Sequence, residues 1–229
     1  MKFALLVSAI AGLAATAVQA YETGVDVSAL TSTSAWSCAK KLGYDHAIVR
    51  CYIEAYGGNP ARGKIDSNCF QNYKNAKAGG FTSVDIYMFP CTGRSTCKSP
   101  AAQVKEVVDY VGSNKMTVGR LWLDVEIDPS ANNWPSASSA RSTLKSFKSA
   151  LDSTGWKYGI YSSASQWSQI TGSSSWELDS SLPLWYAHYD ASLSFSDFSP
   201  FGGWTKPTIK QYAGSVSFCS AGWDKNYYG

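Results

Sequence analysis

The sequence has few of the residues and motifs that bind metals, nucleotides or nucleic acids. It contains two histidines, and no two of its six cysteines are spaced as the CxxC pair of a zinc site. GxGxxG, phosphate-loop and HExxH motifs are all missing. Its 20 basic and 17 acidic residues leave a net charge of +3, which is too small to indicate a nucleic-acid partner. We therefore predict no metal, no cofactor and no bound nucleic acid.

A serine nucleophile is also poorly supported. The chain has no GxSxG motif, so the strained turn that exposes a nucleophilic serine is not predicted. Its two histidines, His46 and His188, are expected to be structural residues or to lie at the rim of a site.

Long apolar runs are missing beyond the first twenty residues. That stretch, MKFALLVSAIAGLAATAVQA, has one basic residue, an Ala-rich apolar run and small residues before residue 21, as a secretory signal peptide does. No other segment approaches the roughly 18 apolar residues that span a bilayer. We predict a signal peptide over 1–20 and one domain over 21–229. This domain should be a monomer without a membrane anchor, secreted or delivered to a lysosomal or phagosomal lumen.

The six cysteines fit such an oxidising compartment, where three disulfides are the default expectation. Cys91 and Cys97 are close enough in sequence to close one loop, and we predict that pair. The other pairings stay open. No Asn-x-Ser/Thr sequence is present, so N-linked glycans are not expected.

Short apolar runs with turn residues between them predict eight strands. Five amphipathic stretches predict helices, and they all lie before residue 173. Alternating strands and helices are typical of the α/β class, and eight strands suit a closed barrel. We predict an irregular TIM-like barrel whose late helices are missing. The predicted strands are 23–28, 46–55, 81–89, 120–127, 156–163, 182–189, 207–213 and 221–228, and the helices are 34–43, 67–80, 99–114, 136–155 and 165–172.

The stretch 120-RLWLDVEID-128 places a carboxylate at every second position from Asp124 to Asp128. Strand side chains alternate between two faces, so the apolar residues should face the helices and the acidic ones the barrel interior. Asp124 and Glu126 are then close enough for one to keep its proton to higher pH, as glycoside hydrolysis requires. Salt bridges of these acids to Arg50 or Arg120 are the structural alternative.

Other strands repeat this pattern of one acidic face. Asp26 lies in 24-GVDVS-28, Asp85 shares a face with Tyr87 and Phe89, and Asp224 lies near the end of the last strand. The chain also has 9 Trp, 14 Tyr and 9 Phe, many of them at predicted strand ends or in loops. A group of carboxylates framed by flat aromatic rings suits a saccharide.

Five motifs in order, 24-GVDVS-28, 123-LDVE-126, 184-LWYAHY-189, 210-KQYAG-214 and 223-WDKNYY-228, resemble those of the Chalaropsis-type lysozymes, glycoside hydrolase family 25. The resemblance covers nearly the whole predicted domain. It implies a barrel of eight strands and about five helices. It also implies N-acetylmuramidase activity on the β-1,4 bond between N-acetylmuramic acid and N-acetylglucosamine in peptidoglycan glycan strands.

The resemblance also implies roles for individual residues. Glu126 would be the general acid, and Asp124 would orient or charge the substrate's 2-acetamido group. Asp26 and Asp224 would complete the acidic floor of the site. The implied substrate-binding residues are Tyr87, Tyr161, Trp185 and Gln211.

Some features of the chain depart from this family or match nothing in it. The third strand reads IYMFPC, where many members have a Tyr-His pair, and the cysteines suggest a eukaryotic secreted branch. Asp128 matches no catalytic position, and whether Asp190 joins the site stays open. A chitinase with a longer run of alternating acids is an alternative, although Trp122 and Gly119 stand at the positions where that run needs Asp. A non-catalytic carbohydrate-binding barrel is the other.

Overall fold

The computed structural model describes residues 21–54, 62–128 and 133–229. Within these residues all eight predicted strands and all five predicted helices are present, together with one short strand, β3, that the sequence pattern does not indicate. In chain order the elements are β1 Glu22–Val27, α1 Thr33–Lys41, β2 His46–Ile53, β3 Lys64–Ile65, α2 Cys69–Ala78, β4 Ser83–Met88, α3 Pro100–Ser113, β5 Leu121–Asp124, α4 Ala137–Asp152, β6 Tyr158–Ser162, α5 Ala164–Thr171, β7 Leu184–Ala187, β8 Ile209–Phe218 and β9 Ala221–Tyr228.

Eight of these strands close into a barrel. Their order around it is β1-β9-β8-β7-β6-β5-β4-β2, and β2 pairs with β1 to complete the circle. The strand β3 adds an antiparallel edge to the far end of β2. No helix occurs in residues 172–229, a range that the structure describes throughout. The predicted irregular α/β barrel with missing late helices is therefore confirmed.

The last strand departs from an all-parallel barrel, because β9 runs antiparallel to both β8 and β1. The cause is the two-residue turn between β8 and β9. Both of its residues have left-handed backbone angles, with φ of 52° at Cys219 and 58° at Ser220, as a tight hairpin turn requires. A parallel neighbour would need a long crossover connection, for which this turn leaves no residues.

The helix boundaries follow local capping signals. Ser99 accepts a hydrogen bond from the amide of Ala102, and Pro100 begins α3 at a position where no amide hydrogen is needed. Helix α5 begins behind Ser163 in the same way and ends at Gly172, whose φ of 74° is left-handed. Local residues therefore set the start of α3 and both ends of α5.

Two layers of buried side chains surround the barrel wall. On β5, Leu121 and Leu123 belong to the large core between the barrel and the helices, whereas Trp122 points into the barrel. The interior cluster consists of Ile48, Trp122, Tyr161, Trp185 and Ile209. The alternation predicted for β5 is confirmed, and the cluster makes the barrel interior a packed core.

The glycine on β6 is required by this packing. A Cβ atom at Gly159 would clash with the Trp122 ring and lie 2.6 Å from the carbonyl oxygen of Pro183. We expect Gly159→Ala to lower the free energy of unfolding by about 2–3 kcal/mol, because neither the ring nor the backbone has room to move. Urea unfolding measures the loss. Gly112→Ala is the matched control, since nothing lies within 4 Å of its added methyl group and its unfolding free energy should not fall.

Three disulfides join Cys38 to Cys219, Cys51 to Cys69 and Cys91 to Cys97, which confirms the pair predicted from spacing. Among the helices in the described part of the chain, none has both the length and the apolar character of a membrane span. The predicted signal peptide, 1–20, lies outside the described residues.

Candidate active site

Four carboxyl groups approach one another at the mouth of the barrel. Asp26 on β1 and Asp224 on β9 are directly paired across the antiparallel ladder, so their side chains share a face. Asp124 is the last residue of β5, and Glu126 follows two residues later. Asp26, Asp124 and Glu126 therefore lie at or just beyond the carboxyl-terminal ends of β1 and β5, where barrel enzymes place their active sites.

The four acids line a cleft of about 190 Å³. All eight site residues predicted from the sequence are in its wall, and three further residues, Arg50, Phe89 and Tyr189, complete it. The full lining is Asp26, Arg50, Tyr87, Phe89, Asp124, Glu126, Tyr161, Trp185, Tyr189, Gln211 and Asp224. The structure brings the predicted residues together, and their catalytic and binding roles stay predictions.

Buried amides fix the position of Asp26. Its Oδ2 atom accepts hydrogen bonds from Gln211 Nε2 at 2.9 Å and from Asn226 Nδ2 at 2.7 Å. The amide oxygen of Gln211 in turn accepts from the hydroxyl groups of Tyr161 and Tyr189, each at 2.7 Å. The floor of the cleft is therefore one connected network that leaves Asp26 little freedom to move.

The backbone at Glu126 is held by side chains, because it lies beyond the end of β5. Its carbonyl oxygen accepts from Trp134 Nε1 at 2.8 Å and from Asn133 Nδ2 at 3.0 Å. The next amide, that of Ile127, donates to Gln166 Oε1 at 2.9 Å. Asp128 donates its amide to Asn133, is buried, and does not line the cleft. Of the three alternating acids only the first two reach the site.

Burial raises the pKa of both acids of the LDVE motif. The pKa of Asp124 lies well above its usual range, and repulsion from Glu126 adds to the rise while the Arg50 guanidinium opposes it. The pKa of Glu126 is raised by burial too, with Tyr161 opposing the rise and Asp224 and Asp128 adding to it. Because the two groups interact, the pair keeps a proton to higher pH than an isolated carboxyl would.

Asp26 shows the same effect. Burial and the facing Asp224 carboxylate raise its pKa to about 8, although the amides of Asn226 and Gln211 favour its charged form. A folded state that binds a proton more tightly than the unfolded chain is most stable at low pH. The contribution of Asp26 is fully present below pH 3.8, its ordinary pKa, and is lost as the pH rises to about 8.

We expect Asp26→Asn to reduce the pH dependence of stability. Between pH 5 and pH 8 the free energy of unfolding of the natural protein should fall by on the order of 1–4 kcal/mol more than that of the variant. Urea unfolding at both pH values measures the difference. Asp45→Asn is the control, because Asp45 is exposed and pairs with Lys40. Equal pH dependence in the natural protein and in Asp26→Asn would contradict the assignment.

Two other acids of the sequence analysis lie outside the cleft. Asp85 accepts a hydrogen bond from Trp122 Nε1 at 3.0 Å. Asp190 pairs with Lys210 at 2.7 Å. With His188 and Asp197, Asp190 forms the group of potential metal ligands found among the described residues, but the ammonium of Lys210 bonds both aspartates. The Lys210 ammonium is therefore the cation that pairs with these two aspartates.

Some residues that shape the site have no signal in the local sequence. Asn226 and Asn133 make their contacts across long sequence separations or through an irregular loop, and no local pattern indicates them. Arg50, the alternative salt-bridge partner of the acids in the LDVE motif, pairs with Asp66 at 2.7 Å and also lines the cleft. Tyr189 is one of the aromatic residues near a predicted strand end, and only the structure shows that its hydroxyl group donates to Gln211.

A closed barrel whose mouth gathers paired carboxyl groups among aromatic rings is the arrangement of a glycoside hydrolase. Comparisons with known proteins agree. The family model of Lys-1, lysozyme-like protein 1, matches residues 17–212. The chain is 41% identical to probable GH family 25 lysozyme 5 of Dictyostelium discoideum over 209 residues, covering 90% of this chain and 89% of the relative. It is 38% identical to lysozyme-like protein 5 of Caenorhabditis elegans, covering 92% and 93%.

A solved lysozyme structure shares this fold. The bacterial lysozyme from Streptomyces coelicolor superposes with a TM-score of 0.68 at 25% identity, covering 92% of this chain and 93% of that one. The chain therefore belongs to the lysozyme-like family of glycoside hydrolase family 25, as the five motifs indicate.

Proposed function

We propose that this protein is a secreted lysozyme that hydrolyses the β-1,4 bond between N-acetylmuramic acid and N-acetylglucosamine in peptidoglycan. The observation that carries the proposal is the placement of Asp124 and Glu126 in one cleft where burial raises the pKa of both. A glycoside hydrolase needs a proton donor beside a carboxylate that stabilises positive charge. This pair supplies both.

Glu126 is the proton donor in this mechanism. It is only half-buried, and it lines both the central cleft and an adjoining groove formed with Ser163, Gln166 and Tyr189. A glycan strand that runs through both spaces would place its glycosidic oxygen beside this carboxyl group. Glu126 then donates its proton to that oxygen as the bond to the anomeric carbon breaks.

Asp124 acts as the charged partner. It is 8% exposed and lies deeper than Glu126, and this burial raises its pKa. The nearby Arg50 guanidinium favours its ionised form, and a Glu126 that holds the proton no longer repels the Asp124 charge. As the glycosidic bond breaks, positive charge develops on the sugar ring. The Asp124 carboxylate stabilises that charge directly or by orienting the 2-acetamido oxygen toward the anomeric carbon.

The aromatic residues of the cleft bind the sugar. Tyr87 and Tyr161 both lie against Trp185, with ring centroids 6.0 Å and 4.6 Å from it, so the three rings support one another. Sugar rings pack on such surfaces, and the rigid rings lose little entropy on binding. Gln211, fixed by two tyrosine hydroxyls, is the polar contact of this group.

Product analysis tests the proposal. Purified peptidoglycan is digested and the new reducing ends are identified after reduction. N-acetylmuramic acid at these ends supports the proposal, whereas N-acetylglucosamine ends would contradict it. Chitin is digested in parallel, and faster hydrolysis of chitin would favour the chitinase alternative. Tight peptidoglycan binding without new reducing ends would favour a non-catalytic binding barrel.

Secretion is part of the same proposal. The three disulfides support an oxidising compartment. Expression in a eukaryotic secretory host, followed by amino-terminal sequencing of the protein in the medium, should give a chain that begins near Tyr21. Retention of residues 1–20 in the secreted protein would contradict the predicted signal peptide.

A further inference from the structure

A lysine is completely buried on the outer surface of the barrel. Lys210 lies on β8 beside Tyr186 of β7, and its neighbours in sequence, Ile209 and Gln211, point inward. No helix follows α5 in this fully described part of the chain, so the segment 188–198 covers this lysine instead. Burying a charge is costly unless it is fully paired, which makes the partners of this ammonium informative.

The three hydrogens of the ammonium have three acceptors, and all of them lie in the segment 188–198. Lys210 Nζ bonds Asp190 Oδ2 at 2.7 Å, Asp197 Oδ1 at 2.6 Å and the carbonyl oxygen of Ser194 at 3.1 Å. The second oxygen of Asp197 lies 2.9 Å from His188 Nδ1. One buried side chain thus ties three points of the covering segment to β8.

The same segment carries Tyr189 to the cleft. The amides of His188 and Ala191, on either side of it, donate to the carbonyl oxygens of Gln211 and Tyr212, each at 3.0 Å. The Tyr189 hydroxyl donates to the side chain of Gln211 at 2.7 Å. Tyr189 is 60% exposed, yet it lines both the central cleft and the adjoining groove that share Glu126. It stands where a glycan would pass from one space to the other.

We infer that Lys210 is a positioning residue which holds Tyr189 in place for glycan binding beside Glu126. The inference rests on the proposed lysozyme function for the identity of the ligand. An exposed tyrosine on an untethered loop would lose conformational freedom when the glycan binds, and the Lys210 contacts remove that loss in advance. Lys210 does not touch the substrate, so it affects the reaction only through Tyr189.

Lys210→Met tests this role, with Lys148→Met as the matched control. Lys148 on α4 also bonds two aspartates, Asp152 at 2.8 Å and Asp179 at 3.1 Å, but its contacts hold no residue of the cleft. We expect Lys210→Met to raise KM for soluble peptidoglycan fragments roughly five- to twentyfold and to change kcat less than threefold. Lys148→Met should change neither. If Lys210→Met does not fold, Lys210→Met/Asp190→Asn/Asp197→Asn replaces it. None of the three substituted residues is then charged, so no aspartate is left without its cation.

A double-variant cycle separates positioning from general destabilisation. If Lys210 acts through Tyr189, then Tyr189→Ala and Lys210→Met/Tyr189→Ala should have the same KM within about twofold. Additive effects on KM would overturn the inference, as would an unchanged KM in folded Lys210→Met.

Amide hydrogen exchange keeps the test independent of the proposed function. In Lys210→Met, exchange at His188 and Ala191 should be faster than in Lys148→Met. If the natural protein releases no reducing ends, the lysozyme proposal fails, and the cycle is then measured as affinity for insoluble peptidoglycan. Unchanged exchange at both amides would overturn the anchoring role whatever the activity.

Discussion

Glu126→Gln is expected to lower kcat for peptidoglycan hydrolysis by about 10²–10⁴-fold while binding to peptidoglycan changes less than threefold. Glutamine has nearly the shape of the glutamic acid side chain but has no acidic proton to give to the leaving oxygen, and loss of a general acid costs about 10²–10⁴ in rate. Asn133 and Trp134 hold the backbone of residue 126 through its carbonyl oxygen, which the substitution leaves in place. The rate is measured as new reducing ends per enzyme, and binding by co-sedimentation with insoluble peptidoglycan.

Asp128→Asn is the matched control for this experiment. Asp128 belongs to the same alternating run and is also buried, but it lies outside the cleft. Its variant should keep kcat within about fivefold of the natural protein, since the loss of a nearby charge changes the pKa of Glu126 without removing its proton. Near-normal turnover by a folded Glu126→Gln variant would rule out Glu126 as the acid. A larger loss in Asp128→Asn than in Glu126→Gln would move the proton donor to residue 128.

The pH dependence of kcat is a second test of Glu126 as the general acid. Above the pKa of the Asp124 and Glu126 pair the general acid is ionised, so kcat of the natural protein should fall on the alkaline side. The residual rate of Glu126→Gln should lack this alkaline fall, because glutamine does not titrate. A shared alkaline limb in both proteins would assign the titration to another group of the cleft.

The sequence predicts the strands and their faces well because strand periodicity is a local property. On β5, the side chains of Leu121 and Trp122 point to the layers that alternation predicts. The direction of β9 is also encoded locally, in the turn at Cys219 and Ser220, but neither residue is a glycine or asparagine that would signal left-handed backbone. The apolar pattern of the sequence therefore predicts the strand β9 but not its antiparallel direction.

The contacts that complete the site depend on closure of the whole barrel. Asn226 bonds Asp26 across 200 residues of sequence, and no periodicity connects those positions. Tyr189 reaches the cleft through its bond to Gln211, and Lys210 fastens the segment that carries it. Sequence reasoning finds the acids because a carboxylate on an apolar strand is unusual. The amides that hold them are common residues whose partners appear only in three dimensions.

Removal of the Cys38–Cys219 disulfide is expected to have the largest effect on stability. The bond joins α1 to the turn between β8 and β9 across 181 residues, with its Cα atoms 5.8 Å apart. In the chain-entropy treatment, a loop of this length stabilises the folded state by about 5 kcal/mol, because the cross-link restricts the unfolded chain. We expect Cys38→Ala/Cys219→Ala to lower the free energy of unfolding by about 3–5 kcal/mol in urea.

The Cys91–Cys97 pair provides the matched control, because it closes a loop across only 6 residues. The same treatment gives about 2 kcal/mol for Cys91→Ala/Cys97→Ala. Removal of the Cys38–Cys219 bond should also destabilise the active site, since Cys219 lies at the tip of the hairpin that carries Asp224 opposite Asp26. Trp223 on that hairpin still packs edge-on against Trp36 of α1, with ring centroids 4.8 Å apart, so the hairpin should stay docked at low temperature. The Cys38→Ala/Cys219→Ala variant should therefore be active at 10 °C. On heating, it should lose its activity at a lower temperature than the natural protein does. Equal losses of unfolding free energy in the two double variants would show that local packing, and not loop length, sets the contribution of these disulfides.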